Sequence, residues 1–85
     1  MTNIKWSNTE EGWVPKVGER IEVTMNGLGF GTVVGYFISS SGPNIYLGVA
    51  VKLENPPKWF TDQIKRNKYE DSLARVYGAE VRRVS

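Results

Sequence analysis

The chain has 85 residues, a net charge of +2, no cysteine and no histidine. Its length fits one small domain with a thin margin of stability. The missing residue types exclude disulfides, Cys/His metal sites, Cys–His nucleophiles and Ser–His–Asp triads. No run approaches the ~20 apolar residues of a membrane span. The start, Met1-Thr2-Asn3-Ile4-Lys5-Trp6, lacks the apolar core of a secretion signal. The expected address is therefore cytoplasmic.

Charge is spread unevenly. Residues 1–45 carry Lys5, Lys16 and Arg20 against Glu10, Glu11, Glu19 and Glu22, whereas residues 46–85 carry eight Lys/Arg against five Asp/Glu. The second half is thus mildly basic, short of the concentrated basic face of a dedicated nucleic-acid binder.

Residues 1–15 read as an N-terminal arm without a clear period, containing Trp6 and Trp13. Two tryptophans on an idle arm would be costly in exposed apolar surface, so at least one is expected to pack on the domain as a lid. The domain proper is expected over residues 16–85. Ile21, Val23 and Met25 alternate with Arg20, Glu22 and Thr24, which is strand periodicity. Asn26-Gly27 predicts a hairpin turn. The next run, Phe30 to Ile38, is rich in β-branched and aromatic residues. Gly31 and Gly35 within it mark bends, and Gly35 is expected where a side chain would clash or the strand coils. A flexible loop, Ser39-Ser40-Ser41-Gly42-Pro43-Asn44, leads to a third strand over Tyr46 to Leu53.

Asn55-Pro56-Pro57 stops that strand. Residues 57–71 then predict a short amphipathic helical insert, with Asn55 as its cap and Phe60 and Ile64 four residues apart on one side. Leu73 to Val76 predicts a fourth strand, Tyr77-Gly78-Ala79 a tight turn, and Val81 to Val84 a closing strand. The expected fold is therefore mainly β: a small five-stranded SH3-like barrel with a short helical insert before the fourth strand.

Several segments resemble the core of the plasmid-type (type II) dihydrofolate reductases. They are Val17-Gly18-Glu19-Arg20-Ile21, Gly31-Thr32-Val33-Val34-Gly35-Tyr36, Tyr46-Leu47-Gly48-Val49-Ala50-Val51 and Ala79-Glu80-Val81-Arg82-Arg83-Val84. These stretches cover about half the chain and carry packing and turns. The resemblance implies an SH3-like barrel. It does not carry the activity, because the family's Val-Gln-Ile-Tyr ligand motif is replaced here by Leu73-Ala74-Arg75-Val76. The insert at 57–71 is also extra relative to that family.

The remaining motifs point to binding. Gly27-Leu28-Gly29-Phe30-Gly31 is followed by a strand, so it reads as a turn and not as a dinucleotide loop. Asp62, Glu70 and Asp71 have no spacing that compels an acid/base pair. No catalytic residue, cofactor or metal ligand is assigned. Trp59, Phe60, Lys65, Arg66, Lys68 and Tyr69 form an aromatic and basic cluster suited to a protein interface, where Trp and Arg concentrate. The expected function is a non-catalytic binding module, a small accessory protein of phage or plasmid type that docks on a larger protein or on copies of itself. The alternative is a nucleic-acid-binding barrel using Lys65, Arg66, Lys68, Arg75, Arg82 and Arg83 against phosphates. A reductase-like enzyme is a distant third.

Overall fold

The computed structural model describes residues 4–10, 12–67 and 72–84. They form six strands and one helix. The strands are β1 (Ile4–Lys5), β2 (Arg20–Val23), β3 (Gly29–Ser41), β4 (Asn44–Leu53), β5 (Ala74–Tyr77) and β6 (Val81–Arg83), and α1 (Lys58–Asn67) lies between β4 and β5. Five of the strands fall where the sequence places them. The sixth is β1, inside the segment read as an unstructured arm, and it pairs parallel to β4 through Ile4 opposite Ile45 and Lys5 opposite Tyr46. The expected five strands are therefore corrected to six.

β3 and β4 make a long antiparallel hairpin, β2 joins the far side of β3, and β6 joins β2. β5 pairs with β4 on the edge that β1 also uses. The order across the sheet is thus β5-β4-β3-β2-β6, and only Gly78–Glu80, a 3-10 turn, separates β5 from β6 along the chain. Laid flat, five strands at about 4.8 Å spacing would hold these edges about 19 Å apart. A three-residue 3-10 turn rises only about 6 Å, so the sheet must coil to bring its edges together. No β5–β6 ladder joins them among the described residues. The sheet is coiled and open where a closed barrel was expected.

The coil has a visible source in β3. Its register against β4 shifts between Val33 and Gly35, leaving Val34 as the extra residue of a β-bulge. Gly35 sits beside this bulge with open space around its missing side chain: a Cβ there would meet nothing within 4 Å. Of the two alternatives expected for Gly35, the clash is wrong and the bend stands. The crowded glycine of β3 is Gly31, whose Cβ would lie 2.5 Å from Val51 Cγ1 and 2.7 Å from the Lys52 carbonyl oxygen.

Ile21, Val23, Val33, Val49, Val51 and Val76 are buried almost completely, and Trp13, Leu28, Leu53, Ala74 and Val81 complete the core. The alternation of β2 and β5 follows directly from burying one face. The arm belongs to this core. Trp13 is only 7% exposed, its indole N–H donates to Glu19 Oε2 at 3.1 Å, and Trp6 donates to the Trp13 carbonyl at 2.7 Å. Asn8 ties the arm to the chain's other end, with Nδ2 donating to the carbonyls of Gly78 at 2.7 Å and Val81 at 3.0 Å.

Two local expectations change. Asn26-Gly27 is not a two-residue hairpin turn but part of a 3-10 turn, Met25–Gly27, with Asn26 in the left-handed region at φ 52°. The helix begins at Lys58 and not beside Asn55, with the Pro57 carbonyl accepting from the Phe60 and Thr61 amides. It is described to Asn67, and the expected continuation over 68–71 lies outside the described residues.

Candidate binding groove

Residues 54–57 carry the chain off the end of β4, and the two prolines prevent the strand from continuing. The short helix that follows has too few residues to be stable alone. It gains stability by setting Phe60 against the core of the sheet. Ile64, one turn later, is half-buried. Trp59 precedes Phe60 by one residue, or about 100° around the helix, and so cannot share the same contact. It remains 46% exposed. Its ring meets Phe60 edge-on with centroids 6.0 Å apart.

Between this helix, the Met25–Gly27 turn and β5 lies a groove of about 340 Å³. Met25 and Leu28 form one wall, Trp59, Phe60 and Ile64 a second, and Leu73, Ala74 and Val76 the third. Asn26, Gln63 and Arg75 supply polar atoms at its rim. Apolar walls with a few polar groups are the usual make-up of a recognition site. Among the described residues that line it there is no carboxylate and no nucleophile–base pair. Among the described residues no group of three His, Cys, Asp or Glu side chains is placed to hold a metal. Among the described residues no helix is long and apolar enough to cross a membrane.

The structure brings Trp59, Phe60 and Arg75 together around this groove. Arg66 follows Trp59 by seven residues, two helical turns, and lies on the same side. Lys65 lies on the side away from Phe60, and both cations are exposed. Lys68 and Tyr69 lie outside the described residues. Arg82 and Arg83 are elsewhere, on β6 at the edge of the sheet. Each is engaged there: Arg82 pairs with Glu22, and Arg83 Nη1 lies 2.9 Å from Glu10 Oε1. Among the described residues, Arg82 and Arg83 therefore stand on a different element from Lys65 and Arg66 of α1 and Arg75 of β5. Arg20 is paired as well. It bonds Glu54 at 2.7 and 3.1 Å and covers the Phe30 ring at 4.3 Å. The hydrogen bond from Arg20 holds the Glu54 carboxyl below the usual glutamate range.

Sequence reasoning missed the far walls of the groove. Met25 and Leu28 read as strand end and turn, and only the 3-10 geometry turns them toward α1. Comparison with protein-family models, curated proteins and solved structures returned no match.

Proposed function

We propose that this protein is a non-catalytic binding module: an open SH3-like barrel that engages a protein partner through the groove between α1, the Met25–Gly27 turn and β5. The observation that carries the reading is Trp59, 46% exposed at the lip of an apolar groove of about 340 Å³. A half-exposed tryptophan beside a desolvated pocket is the usual form of an interface anchor. Support for the SH3-like barrel comes from the strand order and from the three-residue turn that carries the chain from one sheet edge to the other.

A nucleic-acid reading has less support, because Arg82 and Arg83 face carboxylates and lie apart from α1. A reductase reading has less still. The groove-lining residues of the resembled motif are Leu73, Ala74, Arg75 and Val76, without the family's glutamine and tyrosine. Selection of peptides from a displayed library on the full chain, counter-selected on Trp59→Ala, tests the proposal. Enriched peptides that bind the wild type and not the variant support it. Peptides that bind both equally refute it, as does binding only of nucleic acid with a steep loss in salt.

A further inference from the structure

A second cavity, of about 400 Å³, lies on the outward face of the β3–β4 hairpin and plays no part in the proposed groove. Ser39 and Ser41 of β3, Tyr46 of β4, Tyr77 of β5, Glu80 of the following turn and Ser7 of the arm line it. Strand register explains the gathering. Ser39 lies opposite Tyr46, while Gly48 lies opposite both Phe37 and Tyr77. Having no side chain, Gly48 leaves the space that the Phe37 ring fills. Phe37 in turn backs Tyr77, with centroids 5.4 Å apart. Tyr77 and Tyr46 then stand as two walls, 6.2 Å apart and inclined at 73°.

Glu80 is fixed beside them, its Oε1 accepting from the Tyr77 backbone N–H at 2.8 Å. Its electrostatic position differs from that of three other glutamates. Glu10, Glu22 and Glu54 each hold an arginine, whereas among the described residues no ion pair includes Glu80. Among the described residues no lysine or arginine lines the cavity. Lys5 stands opposite Tyr46, and its ammonium donates to Asn44 Oδ1 at 2.8 Å. The described lining thus combines two aromatic rings, one carboxylate and three serine hydroxyls, with no lysine or arginine among them.

We propose that this cavity binds a cationic side chain, the ammonium of a lysine or the guanidinium of an arginine, presented by a partner polypeptide. Aromatic faces attract a cation through the ring quadrupole. The carboxylate adds a full charge within a partly dehydrated site, and the hydroxyls accept the cation's remaining hydrogen bonds. The site is independent of the Trp59 groove, so the two proposals fail separately.

The test is a titration of the full chain followed by amide NMR shifts. The probes are N-acetyl-lysine methylamide, N-acetyl-arginine methylamide and the neutral N-acetyl-norleucine methylamide. Saturating shifts at Ser39, Tyr46, Tyr77 and Ala79 with at least one cationic probe, and none with norleucine, are expected. Glu80→Gln should weaken that binding at least about fivefold. Its amide oxygen can still accept from the Tyr77 N–H, and an unchanged spectrum elsewhere will show that the fold is kept. Trp59→Ala should leave the titration unaltered. Equal shifts with norleucine, no shifts with any probe, or cation binding untouched by Glu80→Gln would each overturn the proposal.

Discussion

Gly31 and Gly35 sit four residues apart on the same strand and should respond oppositely to alanine. At Gly31 the added methyl would lie 2.5 Å from Val51 Cγ1, 2.7 Å from the Lys52 carbonyl oxygen and 3.2 Å from Leu53 Cα. Two of these are backbone atoms of the neighbouring strand, held by the pairing of Gly31 with Leu53 and Thr32 with Lys52. On the other side Gly31 faces Ile21 of β2, so β3 cannot simply slide away. Relief requires opening the β3–β4 spacing by several tenths of an ångström or displacing Val51, which is fully buried. Overpacking of this kind costs about 1–3 kcal/mol. For a domain of this size each kcal/mol lowers the melting temperature by about 4–8 °C, so Gly31→Ala should melt roughly 4–24 °C early. Gly35→Ala meets nothing within 4 Å and reduces the freedom of the unfolded chain, so its melting temperature should hold or rise slightly. Thermal and urea unfolding followed by tryptophan fluorescence compares the two variants directly. Equal destabilisation at both positions, or none at Gly31, would refute the assigned register and the bulge between them.

Asn8→Ala removes two hydrogen bonds, to the Gly78 and Val81 carbonyls, at about 0.5–1.5 kcal/mol each, so a loss of about 1–3 kcal/mol is expected in urea denaturation. Glu54→Gln tests the surface ion pair with Arg20. Because the folded-state pKa of Glu54 is depressed, its contribution is present above the ordinary glutamate value of 4.5 and is lost as pH falls through the lower folded value. Wild type and variant should therefore differ slightly at neutral pH and converge in acid. Melting curves recorded between about pH 7 and pH 2 read this out, and a difference that grows in acid would contradict the assignment.

The core strands were legible because their pattern is simple. Ile21 and Val23 alternate with polar neighbours, and Val49, Val51 and Leu53 recur at every second position of β4. The helix was legible from a proline stop followed by apolar residues four apart. β1 was not, since two residues carry no period and Ile4–Lys5 become a strand only through the edge that β4 offers them. Gly35 misled because a glycine beside apolar neighbours looks crowded, and only three-dimensional register shows which glycine faces backbone. Trp59 and Phe60 could be found as a pair in sequence. Their groove could not, because Met25, Leu28 and Val76 reach it from elements distant along the chain. Pairing of Arg82 with Glu22 and of Arg83 with Glu10 joins residues at least 60 positions apart, so no local charge pattern announces it. The Tyr46–Tyr77 corner likewise depends on strand order alone.

The central claim, that Trp59 serves contact before packing, is tested most directly by measuring one substitution in two ways. Trp59→Ala should weaken binding to a selected peptide or partner by at least about 2 kcal/mol, roughly thirtyfold. Its unfolding free energy should fall by less than about 1 kcal/mol, because the side chain is half-exposed while Phe60 supplies the inward contact. A variant that unfolds many degrees early yet binds the same partner with unchanged affinity would contradict the account and make Trp59 a structural lid.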